Sequence, residues 1–218
     1  MTRELLAPAR PGQLAARRLL LLPPAYSRPE DFVREGFVDA VQSRGLDLDL
    51  TLVELRFRSV SDRSVLTHLE ELIAAARGAG CTYVSLVGIS LGAYIALACA
   101  ERGAHALDGL CLFAPYLGSH IVTQEIERAG GVAAWEPGEL APDDEERRIW
   151  RFIKGHTHGA LPIHLGLGRE DRFGARHRLL AAALPAEAVD LVPGGHEWPV
   201  WRMLWERFLD ARFERPRA

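Results

Sequence analysis

The sequence predicts an α/β fold in which a mostly parallel sheet of about six strands is covered by helices on both faces, giving three αβα layers. Short apolar runs alternate with longer segments of helical period, as expected when each parallel strand is followed by a helix. The 218 residues are 48% hydrophobic and 25% charged, which is average for a globular protein with a sizeable core. We therefore expect a single domain over residues 1–218.

Six apolar runs are predicted to be the strands. Each is continuously apolar and not alternating, which is typical of strands buried on both faces of a sheet. The runs cover residues 18–22, 48–55, 83–87, 109–113, 162–167 and 188–192.

Five segments are predicted to be helices because their apolar residues recur at helical spacing. They cover residues 29–44, 65–78 (or to Gly80), 91–102, 176–184 and 197–213. In the last segment, Trp201 and Trp205 are interpreted as core residues, whereas Trp198, two residues from His196, is equally consistent with a pocket. The irregular stretch 118–159 is expected to be an insertion that forms a minimal cap or lid.

The charge balance excludes several classes of partner. The chain has 26 basic and 29 acidic residues, so its net charge is −3 and no positive field attracts nucleic acid or an anionic membrane. No window reaches the roughly 18 apolar residues of a membrane span. The polar leader and three cysteines in apolar stretches (Cys81, Cys99 and Cys111) favour a reducing, cytoplasmic compartment.

The strongest chemical signal is Gly88-Ile89-Ser90-Leu91-Gly92, which lies between a predicted strand and a predicted helix. A Gly-x-Ser-x-Gly pattern in that setting is typical of a sharp turn that holds a nucleophilic serine in a strained conformation. Side chains two residues before and after the serine would collide, which explains the two glycines. The serine would then lie at the carboxyl edge of the sheet, where open α/β folds bind ligands.

A serine nucleophile needs a general base held by an acid, and suitable residues follow two later strands. Asp171 follows the strand at 162–167, and His196 follows the strand at 188–192 through a Gly-Gly turn. The order Ser, Asp, His matches that of serine hydrolases with a nucleophile elbow. Glu170 is an alternative to Asp171, and we favour Asp171 because Glu170 lies one residue nearer the strand.

Three other histidines are candidates for metal ligands. His156, His158 and His164 have a loose ligand-like spacing, but no cysteine or carboxylate cluster accompanies them. The sequence therefore predicts no metal and no cofactor.

Acyl transfer also requires two backbone N–H groups that face the developing oxyanion. Leu91, at the start of the helix after Ser90, is one expected donor. The loop after the first strand would supply the other, and because Pro23 and Pro24 lack an N–H, Ala25 is preferred over Tyr26.

At these residues the chain resembles the α/β-hydrolase superfamily, and within it the small phospholipase/carboxylesterase group that includes acyl-protein thioesterases. That group has a His-Gly pair followed by Ser-Pro-Glu-Asp-Phe, where this chain has Pro23-Pro24 and then Ser27-Arg28-Pro29-Glu30-Asp31-Phe32. The resemblance implies Ser90 as nucleophile, His196 as base, Asp171 as orienting acid, and Ala25 and Leu91 as oxyanion donors. Leu91 and Ala93 stand where the group often has Gln and Gly, so the resemblance extends to the reaction type and not to substrate specificity.

A full α/β-hydrolase sheet has eight strands, with the serine turn after the fifth, whereas only two predicted strands precede that turn here. The leader before Arg18 is short and polar in its first half. We therefore expect a sheet trimmed at the N-terminus, with no antiparallel strand pair before Pro23. In this sheet the second predicted strand lies outside the first, and the third to sixth follow in chain order.

The leading hypothesis is a serine hydrolase that acts on a small-molecule ester or thioester through an acyl-enzyme intermediate. Acyl transfer to another acceptor, cofactor-free perhydrolase or haloperoxidase chemistry, and non-catalytic ligand binding on the same fold are the alternatives. A monomer and a homodimer both remain open. The candidate pocket residues are those on loops at the expected edge: Tyr26, Tyr116, Leu117, Trp135 and Trp198.

Overall fold

The computed structural model describes residues 3–10, 12–103, 106–156 and 161–213. Its strands are β1 (Glu4–Ala7), β2 (Arg17–Leu22), β3 (Asp49–Val53), β4 (Tyr83–Ile89), β5 (Gly109–Phe113), β6 (Ile163–Gly168) and β7 (Val189–Val192). They form one sheet in the order β1-β3-β2-β4-β5-β6-β7, in which every neighbouring pair except β1 and β3 is parallel. The six predicted strands and their order are confirmed.

The seventh strand, β1, lies in the leader, so the sheet has one strand more than the six that the sequence predicts, and the antiparallel partner of this strand lies after Pro23. It pairs antiparallel with β3, from Glu4 opposite Val53 to Ala7 opposite Leu50. It is a four-residue edge strand with Leu5 and Leu6 exposed, and so it lacks the continuous buried run by which the other strands were recognised.

The helices are α1 (Pro29–Arg34), α2 (Phe37–Gln42), α3 (Phe57–Ser61), α4 (Ser64–Gly78), α5 (Leu91–Gly103), α6 (His120–Arg128), α7 (Glu145–His156), α8 (Gly174–Ala181) and α9 (Trp198–Arg212). The predictions for α4, α5, α8 and α9 are confirmed to within a few residues. The predicted helix 29–44 is instead two helices. The break is at Gly36, whose φ is 78°, and the guanidinium of Arg202 donates to the carbonyl of Glu35 at this point (3.0 Å).

The segment predicted to be irregular, 118–159, contains α6 and α7 in its described part. The sequence contains a helical pattern here, because its apolar residues Ile149, Trp150 and Ile153 recur at helical spacing. All three are buried in the structure. The surrounding Gly-Gly, Pro-Gly and acidic stretches obscured it.

Two hydrophobic cores lie on opposite faces of the sheet, which confirms the three layers. Leu20 and Leu22 of β2 contribute to the core that includes residues of α4, α5, α6 and α7, while Leu19 and Leu21 contribute to the core with α1, α2 and α9. Trp201 and Trp205 belong to the second core, as predicted. Among the described helices, none combines the length and the apolar character that crossing a membrane requires.

Candidate active site

Ser90 lies in the turn between β4 and α5, at the carboxyl edge of the sheet. Its φ of 52° is in the left-handed region, which is strained for a residue with a side chain. Main-chain hydrogen bonds hold this conformation: the N–H of Ser90 donates to the carbonyl of Phe113 (2.9 Å), and its carbonyl accepts from the N–H of Tyr116 (3.0 Å). The ends of β4 and β5 therefore position the serine together.

The glycines on either side are required by close backbone contacts. A Cβ at Gly88 would lie 2.5 Å from the backbone of Ala93, inside the first turn of α5. A Cβ at Gly92 would collide with the carbonyl oxygens of Leu22 and Pro23, at the end of β2. The second contact also brings the loop after β2 against the serine turn.

His196 connects Ser90 to Asp171. Its Nε2 lies 3.0 Å from Oγ of Ser90, and its Nδ1 lies 2.8 Å from Oδ2 of Asp171. Because a carboxylate can only accept, the hydrogen of the neutral imidazole lies on Nδ1, and the Nε2 lone pair faces the serine hydroxyl. The side chain of Asp171 is fully buried and that of His196 is 10% exposed, so little water competes for these bonds.

The environment of Asp171 keeps its carboxylate charged. Burial raises its pKa, but the hydrogen bonds from His196 and from the backbone N–H of Phe173 (2.8 Å) outweigh that effect, and the net pKa lies below the ordinary value. Asp171 is therefore ionised at neutral pH.

Glu170, the alternative acid, contacts the backbone of Gly194 in the loop after β7. Its carboxylate accepts the backbone N–H of Gly194, and its own N–H donates to the carbonyl of Gly194 at 3.1 Å. Glu170 thus joins the loop after β6 to the loop that carries His196, while the contact to the imidazole belongs to Asp171.

Two aromatic rings hold the imidazole of His196 edge to face. The ring centroids of Phe173 and Trp201 lie 5.1 Å and 5.0 Å from it, at interplanar angles of 82° and 88°. This packing restricts rotation of the ring while Ser90 and Asp171 contact its nitrogen atoms.

The two proposed oxyanion donors come from different segments of the chain. Leu91 begins α5, and Ala25 lies in a turn closed by the hydrogen bond from Ser27 N–H to the Pro24 carbonyl (3.3 Å). Within the described ranges, neither the N–H of Ala25 nor that of Leu91 has an acceptor. Both donors are free to bind a ligand.

The five candidate pocket residues occupy different surroundings. Tyr26 is fully exposed on the loop after β2, and Tyr116 is half-buried with its ring 5.5 Å from that of Tyr94. Trp198 is half-buried against aromatic rings of the second core. Leu117 (3% exposed) and Trp135 (2% exposed) lie in the first core, where the indole N–H of Trp135 donates to Glu125.

His177 on α8 is a polar residue near this site that the sequence did not reveal. Its side chain is 1% exposed, and its Nε2 lies 3.1 Å from the carbonyl of Pro115, one residue before Tyr116. The only sequence signal is a histidine on the inward face of a predicted helix, and such a residue most often has a packing role.

Three histidines are candidate metal ligands from the sequence, and His156 is the last residue of α7. Of the three, His158 lies outside the described residues, and His164 is buried with its ring 5.1 Å from that of Phe208. No cluster of three potential metal ligands occurs among the described residues.

Neither a protein-family model nor a curated protein matches the chain. Solved structures do match it. Est1E from Butyrivibrio proteoclasticus is 13% identical over 96% of this chain and 93% of its own, with a TM-score of 0.65. The monoacylglycerol lipase of Paleococcus ferrophilus is 12% identical over 96% of both chains, with a TM-score of 0.64.

The fluorophosphonate-binding serine hydrolase F of Staphylococcus aureus is also similar, at 12% identity over 89% of this chain and 82% of its own, with a TM-score of 0.64. At identities this low, TM-scores of 0.64 and 0.65 show a common fold and nothing more. The chain therefore has the α/β-hydrolase fold, with a seven-stranded sheet and a serine turn after its fourth strand.

Proposed function

We propose that the protein is a serine hydrolase of a carboxylic ester or thioester, with Ser90 as nucleophile, His196 as general base and Asp171 as orienting acid. The observation that carries the proposal is the continuous contact from Ser90 Oγ through the imidazole to the buried carboxylate, at 3.0 Å and 2.8 Å. Structural neighbours that are a monoacylglycerol lipase, a ferulic acid esterase and a serine hydrolase support the same reaction class.

In the first half of the reaction, Ser90 Oγ attacks the carbonyl carbon while His196 Nε2 takes the hydroxyl proton. The imidazolium then protonates the leaving alcohol or thiol, and the acyl group remains on Ser90. In the second half, His196 takes a proton from water, the hydroxide attacks the acyl carbon, and the acid is released as the proton returns to Ser90. Asp171 stays ionised throughout and stabilises the imidazolium.

The negative charge that develops on the carbonyl oxygen requires donors already in place. We assign this role to the N–H groups of Ala25 and Leu91, which are free of acceptors in the described structure. The helix dipole of α5 adds to the contribution of Leu91. The acyl group would contact Tyr26, Tyr116 and Trp198, whereas Leu117 and Trp135 pack in the first core.

The described part of the segment between β5 and β6, residues 114–156, is proposed to be a fixed cover and not a mobile lid. The carboxylate of Glu146 accepts from the N–H and hydroxyl of Ser119, and Glu125 accepts from Trp135 and Arg147.

The three cysteines are buried and unpaired, which supports the proposed reducing, cytoplasmic compartment.

A fluorophosphonate probe tests the assignment of Ser90. Attack by an activated serine on the phosphorus displaces fluoride and leaves a phosphonate ester that mass spectrometry locates. We expect one adduct, on Ser90, in the folded protein. Ser90→Ala should lose the adduct and at least about 10⁴-fold of kcat for p-nitrophenyl butyrate, because the residual rate would come from binding and the oxyanion donors alone.

Ser43→Ala is the matched control, because Ser43 is an exposed serine outside the site and should leave labelling and hydrolysis unchanged. Equal labelling of Ser90→Ala and the wild type would refute the proposal. A series of p-nitrophenyl esters of rising chain length, compared with acyl-CoA thioesters, then identifies the acyl group and leaving group preferred.

A further inference from the structure

The imidazole of His177, a buried residue on α8, has one hydrogen-bond partner among the described residues. Its Nε2 lies 3.1 Å from the carbonyl oxygen of Pro115, and its Nδ1 is buried without a partner. A carbonyl oxygen can only accept, so Nε2 carries the hydrogen and Nδ1 the lone pair. Burial lowers the pKa of His177 despite the nearby charge of Asp171, so the ring is neutral and donates one directed hydrogen bond.

That hydrogen bond ends on the turn that supports the serine. Ala114, just before Pro115, has a φ of 45°, and its N–H donates to the carbonyl of Gly166 in β6 (2.9 Å). Tyr116, just after Pro115, donates its N–H to the carbonyl of Ser90 (3.0 Å). Because proline has no N–H, the carbonyl of Pro115 is the one backbone group through which this residue can be held.

The same short segment that carries His177 also carries the orienting acid. Asp171 accepts the N–H of Gly174 on its carbonyl (2.9 Å) and the N–H of Phe173 on its side chain, and the N–H of His177 donates to the carbonyl of Phe173 (3.1 Å). Residues 171–177 therefore contact His196 at one end and the turn beneath Ser90 at the other.

We propose that His177 is a positioning residue: its Nε2–H holds the carbonyl of Pro115 and thereby sets the distance between Ser90 and the Asp171–His196 pair. The inference rests on the proposed function of Ser90. Its physical basis is that a misplacement of reacting groups by about 1 Å can cost about 10²-fold in rate.

The alternative is that His177 only fills space in the interior. A matched pair of variants separates the two roles, because Gln and Met have similar length and volume but Gln alone keeps an N–H donor. We expect His177→Met to lower kcat for p-nitrophenyl butyrate about tenfold with KM within about twofold, and His177→Gln to stay within about threefold of the wild type. Leu180→Ala, on the same helix, should lower the Tm while leaving kcat at 25 °C unchanged.

Amide hydrogen exchange at Tyr116 gives a readout that does not depend on catalysis. Loss of the His177 hydrogen bond should accelerate exchange of the Tyr116 N–H in His177→Met about tenfold more than in His177→Gln. Equal kcat and equal exchange in the two variants would overturn the inference. If Ser90→Ala keeps its activity while the exchange difference is present, the proposed function fails, whereas the hydrogen-bonding role of His177 stands.

Discussion

The two ends of the parallel sheet differ in the hydrogen bonding of their buried polar groups and in the number of residues with strained backbone. At the carboxyl edge, Asp171 is buried but hydrogen-bonded on both carboxylate oxygens. Of the four described non-glycine residues with positive φ, three (Tyr26, Ser90 and Ala114) lie at this edge, directly after or just beyond β2, β4 and β5. At the amino end, His164 is buried near the start of β6 with no partner for its Nε2 in the described structure.

This difference indicates that the fold maintains strained backbone, which costs stability, at the carboxyl edge of the sheet. Strained backbone persists only when the surrounding structure holds it, and it gathers at functional sites. A paired buried charge occurs at both ends, because Asp49 is buried at the start of β3 beside Arg18 (3.2 Å). An unpaired but neutral histidine among aromatic rings costs stability and holds no reactive geometry. Substitutions at the carboxyl edge should therefore affect activity or the fold itself, and those at the amino end stability alone.

After Ser90→Ala, the largest effect is expected from Asp171→Asn. An amide that donates to Nδ1 of His196 favours the tautomer with its hydrogen on Nε2, which cannot accept the proton of Ser90. We expect kcat/KM for p-nitrophenyl butyrate to fall about 10³- to 10⁴-fold, by analogy with triads of this type. Initial rates of p-nitrophenol release by the purified, folded variant and wild type measure the loss of kcat/KM.

Glu170→Gln is the matched control, since it removes the same charge one residue away. Glu170 contacts the Gly194 backbone and not the imidazole, so the variant should retain at least about a tenth of the activity. If Glu170→Gln loses as much activity as Asp171→Asn, the acid has been assigned to the wrong residue.

The serine turn was predictable because it is determined locally: Gly88, Ser90 and Gly92 meet the ends of their own strand and helix within five residues. The choice between Asp171 and Glu170 was harder, because it depends on how two loops 25 residues apart in the chain approach each other. The sequence favoured Asp171, and only tertiary contacts show which of the two carboxylates reaches the imidazole.

Features that depend on distant contacts were the ones missed. The break at Gly36 is occupied by the guanidinium of Arg202 from the far end of the chain, and no local pattern reveals that contact. Strand β1 is specified by its pairing with β3 and not by an apolar run of its own. His177 acquires its partner, Pro115, only when α8 packs beside the end of β5.

The next largest effect tests the close contact at the serine turn. In Gly92→Ala, the new methyl group would collide with the carbonyl oxygens of Leu22 and Pro23, which belong to the backbone and cannot rotate away. We expect a loss of about 3 kcal/mol in the free energy of unfolding, measured by urea denaturation. Gly78→Ala is the control: its Cβ meets no atom within 4 Å, so stability should change by less than about 1 kcal/mol. Equal stability of the two variants would show that the turn is not constrained at Gly92.

The smallest effect is expected at the amino end, and it depends on pH. Burial lowers the pKa of His164 from 6.5 to about 4, so between those values the unfolded chain binds a proton that the folded protein does not. The free energy of unfolding should therefore decrease as the pH falls through 6.5 towards 4, by roughly 2 kcal/mol between pH 7 and pH 5 for this one group. His164→Phe, which keeps an aromatic ring beside Phe208 and does not titrate, should flatten the profile by that amount and leave kcat unchanged at pH 7.5.

Urea denaturation of the wild type and of His164→Phe at pH 7, 6 and 5 measures the difference between the pH dependences of their unfolding free energies. Parallel profiles would mean that His164 is hydrated or paired in solution, and the contrast between the two ends of the sheet would then be smaller than the structure indicates.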